Sequence, residues 1–170
     1  MSSHWDKMTT LFEALAYLVK QSDTDGIDLH FTVSSEQVSR SKSTGKLVEK
    51  IKRHKREGVT DMTWNLDRIL ENYREQFHRK KPFFNSNHKV RPLTLYVLTD
   101  GIWEAECDPS PVIKRMVKRL EELQCAESQV GIQFISFGED PLGLNRLQRL
   151  DDDLELERSV HIPFSLSPAA

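Results

Sequence analysis

The chain has 170 residues, a formal net charge of -2 and a sequence pI of about 6.3. This length suits one domain with a buried core, and the near-neutral charge argues against broad electrostatic attraction to nucleic acid or to an anionic membrane. The 2 cysteines, Cys107 and Cys125, are too few for a disulfide framework or a zinc site, and no apolar run is long enough to span a bilayer. We therefore expect a cytoplasmic protein.

The first half of the chain is predicted to contain three helices and one strand. The first helix begins at the third or fourth residue, where Ser3 and Asp6 have the spacing of a capping box. Residues 27–33 alternate apolar and polar side chains, which predicts a strand, and the serine-rich residues 34–43 indicate a loop. Two more helices are predicted from apolar residues at helical spacing, one through Leu47, Val48 and Ile51 and one through Leu66, Ile69, Leu70, Tyr73 and Phe77.

The second half alternates strands and helices. Apolar runs at residues 93–98 and 130–137 predict two strands, and a third, short strand is expected at residues 160–164. Two helices are expected to begin at cap-plus-proline pairs, Ser110-Pro111 and Asp140-Pro141. The second of these helices is predicted to contain Leu144, Leu147, Leu150 and Leu154. This alternation predicts an α/β fold with a parallel sheet between helix layers.

The most informative feature is Thr99-Asp100-Gly101, which directly follows the apolar run at residues 93–98. A carboxylate at the carboxyl end of a strand, followed by a residue that permits a tight turn, occupies the position where open α/β sheets bind ligands and metals. Asp100 is therefore a candidate ligand-binding residue, and the alternative is that its carboxylate only caps the turn.

Two segments resemble parts of the metal-ion-dependent adhesion site of von Willebrand factor A domains. Residues 58–62 (Gly-Val-Thr-Asp-Met) resemble its second part, and residues 99–101 resemble its third part. Residues 23–31 and 130–137 resemble the intracellular, notably fungal, branch of the family. The resemblance covers nearly the whole chain, and it implies a single domain over residues 1–170 with a Rossmann-like three-layer fold, in which a mostly parallel sheet is flanked by helices.

The first part of the family's site, an Asp-x-Ser-x-Ser segment after the first strand, does not occur in this sequence. In the family a methionine, a tryptophan and an amphipathic helix often follow that segment, and Met1, Trp5 and the first predicted helix have this order. The resemblance thus implies an amino-terminal truncation that removes the first, central strand and most of the metal ligands.

The resemblance also implies roles for individual residues. Thr60 matches the threonine that contacts Mg²⁺ in the intact site, and Asp100 matches an aspartate that holds the metal's waters. With these two positions alone, we expect Mg²⁺ binding to this chain to be weak or absent. Asp61 and Trp103 are expected to contact a partner. The alternatives are that Thr60 or Asp61 is only a helix cap and that Trp103 packs under its loop.

The leading functional interpretation is a non-enzymatic protein-binding module, in which an acidic residue of the protein partner fills the open metal position. No catalytic residue is assigned, because the 6 histidines are scattered and the sequence has neither a nucleophile elbow nor a phosphate-binding glycine loop. The alternative is a metal-dependent hydrolase or phosphotransfer enzyme that uses Asp100. A third interpretation is a truncated product that pairs with another protein's strand or needs its own missing segment. Nucleic-acid and membrane partners are not expected.

Overall fold

The computed structural model describes residues 4–23, 25–32, 34, 36–54, 61–78, 90–104 and 106–154. Within these ranges the chain is mixed α/β, as the sequence predicts. The elements are α1 (Trp5–Ser22), β1 (Ile27–His30), β2 (Gln37–Ser41), α2 (Thr44–Arg53), α3 (Met62–His78), β3 (Leu93–Thr99), α4 (Ser110–Glu122), β4 (Val130–Ser136) and α5 (Pro141–Asp153).

The strands β3 and β4 form a parallel pair, and α4 lies between them in the chain. Their register runs without a bulge from Leu93 opposite Val130 to Thr99 opposite Ser136. A helix in the connection is what a parallel pair requires, because the chain must return to the starting edge of the sheet. Both strands consequently end at the same edge, and the loops that follow them lie side by side.

The strand β2 was not predicted, because it lies within the serine-rich residues 34–43 that indicate a loop. It pairs antiparallel with β1. Most of its side chains are exposed, so backbone hydrogen bonds hold it in place and no apolar alternation marks it in the sequence. The hairpin β1–β2 is one two-stranded sheet, and the pair β3–β4 is another. The described strands therefore do not form one continuous sheet.

Of the two cap-plus-proline starts predicted for helices, one is confirmed. Asp140 caps α5, since its side chain accepts hydrogen bonds from the amides of Leu142 and Gly143. In contrast, α4 begins at Ser110 itself, after Pro109. The helix α1 begins at Trp5, after a residue that makes no side-chain cap bond. Ser3 and the strand expected at residues 160–164 lie outside the described residues.

The helices bury apolar faces in two clusters. The first cluster joins α3, α4 and α5 to β3 and β4, and the second joins α1 and α2 to β1. Leu98 of β3 and Phe137, which follows β4, also pack against the second cluster. The two halves of the described chain therefore touch near the carboxyl ends of β3 and β4. Among the described helices, none is both long and apolar enough to cross a membrane.

Candidate functional site at the carboxyl ends of β3 and β4

The loop after β3 is built by side chains that accept hydrogen bonds from its own backbone. The Oγ1 atom of Thr99 accepts the amide of Gly101 at 3.0 Å, and Oδ1 of Asp100 accepts the amide of Ile102 at 3.1 Å. Both are local turns of the kind that threonine and aspartate favour. Asp100 is only 2% exposed, so the loop holds a carboxylate beneath its surface.

Glycines let the loop after β4 approach Asp100 closely. A Cβ atom added at Gly143 would lie 2.1 Å from the carbonyl oxygen of Asp100, and one at Gly138 would lie 3.0 Å from its Cβ atom. Gly101 has a φ of +75°, and a Cβ atom there would lie 2.3 Å from the carbonyl oxygen of Gly143. The turn after β3 therefore packs directly on the first turn of α5, in an arrangement that only glycines permit.

Asp61 lies at the same edge of the β3–β4 sheet. Its Oδ1 atom accepts the amide of Trp64 at 2.8 Å, which is the hydrogen bond of a helix cap at the start of α3. The thiol of Cys107, in the loop after β3, is 3.9 Å from the same oxygen. The loop that begins at Asp100 therefore reaches the start of α3, and the exposed carboxylate of Asp61 faces solvent beside it.

Trp103 holds this loop together from inside. Its side chain is 9% exposed and belongs to the first apolar cluster. The indole Nε1 atom donates to the carbonyl of Cys107 at 2.9 Å, and the Arg146 side chain donates to the carbonyl of Trp103. Of the two roles considered for Trp103, this geometry favours packing under the loop over direct contact with a partner.

The described residues do not supply a complete metal site. Thr60, the predicted metal-contacting threonine, lies outside them. Within the described ranges no three histidine, cysteine, aspartate or glutamate side chains cluster as metal ligands would. Mg²⁺ needs about six oxygen ligands in near-octahedral geometry.

Three exposed apolar side chains lie close to this edge in the sequence, and we call them the apolar rim: Ile102, Leu142 and Leu144. They are 44%, 57% and 41% exposed, respectively. Ile102 and Leu142 directly follow and precede the two glycines of the close contact between Gly101 and Gly143, whereas Leu144, two residues after Leu142 in α5, lies on another face of that helix. The sequence names Leu144 among the apolar residues that predict the last helix, but gives no signal that it is exposed.

Neither the family models nor the curated proteins that were searched contain a match to this chain.

Proposed function

We propose that this chain is a protein-binding module of the von Willebrand factor A type, with an incomplete metal-ion-dependent adhesion site and no chemistry of its own. The module recognises another protein through the loops at the carboxyl ends of β3 and β4. Asp100 is the internal anchor of this surface, Asp61 supplies an exposed charge, and the apolar rim supplies the contact area.

The apolar rim is the observation that carries the proposal. Ile102 and Leu142, both exposed, adjoin the contact between Gly101 and Gly143, next to the buried Asp100. Scattered exposed leucines are ordinary, but a group of apolar side chains on adjoining loops is typical of a binding surface. Protein interfaces combine such an apolar centre with charged residues at the margin, and Asp61 occupies a marginal position here.

The arrangement of the elements supports the family assignment within this proposal. A parallel β3–β4 pair, flanking helices and an antiparallel β1–β2 hairpin are compatible with a three-layer fold. A wide cleft separates β1 from β3. Asp61 and Asp100 lie at one edge of the sheet, as the resemblance implies for the second and third parts of the adhesion site.

The proposal can be tested by crosslinking experiments in which wild type and two variants with added lysines are used to capture partner proteins. We expect Ile102→Lys/Leu142→Lys to lose a partner that wild-type protein retains, because lysines cannot be buried at low cost in an apolar contact. Tyr17→Lys is the matched control, because Tyr17 is an equally exposed apolar residue that lies on α1. Proteins crosslinked to each bait are quantified by mass spectrometry, and the best candidate is purified for a binding titration.

The supporting outcome is a purified partner that binds wild type and Tyr17→Lys alike and the rim variant at least about tenfold more weakly, a loss of about 1.4 kcal/mol. Equal binding to all three proteins would contradict the proposal. So would phosphoester hydrolysis by the wild type that Asp100→Asn abolishes, because that result would favour the enzyme interpretation. A calorimetric Mg²⁺ site tighter than about 0.1 mM would contradict the incomplete metal site.

A further inference from the structure

Arg68 of α3 is a cation to which the described residues offer no carboxylate. Its Nη1 atom donates to Oε1 of Gln37 at 3.4 Å, and its Nη2 atom donates to Oδ1 of Asn65 at 3.5 Å. Both acceptors are neutral, and both distances are long for hydrogen bonds. The Nε atom is buried and has no hydrogen-bond partner within the described ranges. Because a guanidinium has five N–H donors, most of the donors of Arg68 are unused.

Other arginines of the described chain show what Arg68 lacks. Each of the following lies against a carboxylate: Arg53, Arg74, Arg91, Arg115 and Arg119. Arg74 is the closest comparison, because it lies on the same helix and its Nε atom donates to Oε2 of Glu71 at 2.6 Å. A partly buried positive charge that is not balanced in this way favours an anion from outside the chain.

The guanidinium of Arg68 is held in place by its own helix. Its Cζ atom lies 5.4 Å from the centroid of the Trp64 ring, which is within the range of a cation–π contact. Asn65, which accepts Nη2, is only 5% exposed. The Asn65 side chain also donates to the carbonyls of Thr32 and Asp61, at 3.1 and 3.0 Å. Arg68 is therefore oriented before a ligand arrives, which lowers the entropic cost of binding.

The groove around Arg68 lies between α3 and the β1–β2 hairpin. His30 of β1 and Gln37 of β2 are directly opposite in the register, so their side chains project from the same face. The contact between Gln37 and Arg68 turns this face towards α3. Neither Gln37, Trp64 nor Arg68 lines the cleft between β1 and β3, so the groove is a separate surface. We call Gln37, Trp64, Asn65 and Arg68 the arginine site.

The arginine site is open to solvent on one side. Gln37 is exposed and Trp64 is 55% exposed, whereas the Nε atom of Arg68 is buried. A ligand therefore approaches the Nη1 and Nη2 atoms from the side of Gln37, whose long hydrogen bond is easily exchanged for one to a charged acceptor. Two neighbouring N–H groups of a guanidinium match the two oxygens of a carboxylate.

The surrounding charges favour a ligand with a single negative charge. Arg68 supplies one positive charge, and burial together with that charge lowers the pKa of His30 below 6.5, so His30 is neutral near pH 7. The negative charge of Asp28 also acts on His30, and the carboxylate of Asp61 lies at the start of α3. A phosphate group carries a charge of about −1.5 to −2, so these two aspartates repel it more strongly than they repel a carboxylate.

We infer that the arginine site binds an acidic side chain of another polypeptide, with an apolar side chain beside it on the exposed ring of Trp64. The carboxylate takes the Nη1 and Nη2 atoms of Arg68 and displaces Gln37. Tryptophan and arginine are the residue types that most often dominate the affinity of protein interfaces. This recognition needs no metal ion and uses none of the residues of the apolar rim, so it goes beyond the function proposed above.

The first test is an NMR titration of the whole chain with the peptide acetyl-Ala-Leu-Glu-Leu-Ala-amide. The control peptide has glutamine in place of glutamate. We expect the glutamate peptide to shift the Nε–H signal of Arg68 and the indole N–H signal of Trp64, and to bind at least about tenfold more tightly than the control. Addition of EDTA should leave the affinity unchanged, because no metal ion takes part.

The pKa of His30, followed by NMR in a buffer without carboxylates, gives a second readout. Burial lowers this pKa most, and the positive charge of Arg68 lowers it further. A carboxylate bound beside Arg68 offsets that charge, so the glutamate peptide should raise the pKa of His30. Arg68→Gln should raise it without peptide, and the peptide should then have no further effect.

Arg68→Gln and Arg74→Gln are a matched pair on α3, because Arg74 already has a carboxylate partner. We expect Arg68→Gln to weaken binding of the glutamate peptide at least about tenfold and Arg74→Gln to retain it. Trp64→Ala should also weaken binding, whereas Tyr17→Ala, at an exposed aromatic residue of α1, should not. Leu142→Lys should bind the peptide normally, which separates this site from the apolar rim.

A second pair of variants does not depend on removal of Arg68. Gln37→Glu places a carboxylate of the chain itself against Nη1 and should block the peptide, whereas Gln37→Ala should bind it at least as well as wild type. Both substitutions are at an exposed position of β2, so the fold should tolerate them.

Several results would overturn the inference. Equal binding of the two peptides, or no binding of either below about 10 mM, would show that Arg68 does not select a carboxylate. An equal loss of affinity in Arg68→Gln and Arg74→Gln would show that only the net charge of the surface matters. Tighter binding of a peptide with phosphoserine in place of glutamate would make the ligand a phosphate group. Acetate that binds as tightly as the glutamate peptide would exclude a polypeptide as the preferred ligand.

Discussion

At the scale of single residues, the glycine pair between β3 and α5 determines how closely the two loops of the site can pack. Gly143 lies within α5, where alanine would normally be favoured by about 1 kcal/mol. A Cβ atom there would lie 2.1 Å from the carbonyl oxygen of Asp100. Backbone atoms cannot move away as a flexible side chain can, so overpacking outweighs helix propensity at this position.

We therefore predict that Gly143→Ala destabilises the fold by about 1–3 kcal/mol. The matched control is Gly131→Ala, because a Cβ atom at Gly131 in β4 would meet nothing within 4 Å, and its free energy of unfolding should change by less than about 0.5 kcal/mol. Urea denaturation of both variants measures the difference. Equal stability of the two variants would show that the loops are not packed as closely as described.

The lowered pKa of His30 predicts the direction in which the stability of the fold changes with pH. Burial, helped by the nearby positive charge of Arg68, lowers the pKa of His30 below its ordinary value of 6.5, and Asp28 partly opposes the shift. Below that value the unfolded chain binds a proton that the folded chain resists, so the unfolding free energy falls as the pH decreases from about 6.5 towards the folded pKa. His30 also lines the cleft between β1 and β3.

The prediction is that His30→Asn reduces the loss of stability between about pH 7 and about pH 5, because asparagine does not titrate. Urea midpoints of wild type and variant at the two pH values measure the effect. Wild type and variant share all their other titratable groups. The difference between their pH dependences of stability therefore reports the contribution of His30. An identical pH dependence in the two proteins would mean that burial of His30 does not oppose its protonation.

At the scale of elements, α5 carries the site because its first turn is held against the loop after β3. The side chain of Asp140 accepts the amides of Leu142 at 2.8 Å and of Gly143 at 3.4 Å. These are two of the amides that a helix leaves without partners at its amino end. The cap therefore orders the same turn that presents Leu142 of the apolar rim.

Replacing the cap should cost stability, and replacing a charge elsewhere on α5 should not. Asp140→Ala is expected to lower the free energy of unfolding by about 1 kcal/mol. Asp152→Ala, an exposed position near the other end of α5, should be within about 0.5 kcal/mol of wild type. Thermal melts of the two variants make the comparison. A larger loss for Asp152→Ala would contradict the assignment of the cap.

At the scale of the whole molecule, the buried apolar side chains of the described residues form two clusters. Leu47 is fully buried in the cluster of α1, α2 and β1, and Ile113 is fully buried in the cluster that includes β3 and β4. Leu47→Ala and Ile113→Ala should each cost about 2–5 kcal/mol. Because the two side chains belong to different clusters, the double variant should show the sum within about 0.5 kcal/mol.

Chemical denaturation of the two single variants and the double variant gives the coupling free energy between the clusters. This is the difference between the loss of stability in the double variant and the sum of the two single losses. Leu18→Ala, at an exposed position of α1, is the control and should be nearly neutral. A coupling above about 1 kcal/mol would show that the clusters act as one core.

Elements with a strong periodic pattern were predicted closely. The run at residues 93–98 became β3 (Leu93–Thr99), and the run at residues 130–137 became β4 (Val130–Ser136). Both strands are rich in large apolar and β-branched residues, so their local preference and their burial agree. The strand β2 was missed because its side chains are polar and its pairing with β1 uses only the backbone.

The sequence by itself determined the alternation of helices and strands and the position of Asp100 after a strand, because both depend on neighbouring residues. Only the tertiary structure decided which loops meet. The contact of Gly101 with Gly143 and the approach of Cys107 to Asp61 join residues that are about forty positions apart. The same holds for the cleft between β1 and β3, since its walls come from α1, β1, α3 and β3. Such surfaces arise from packing between elements, and no local pattern along the chain encodes that packing.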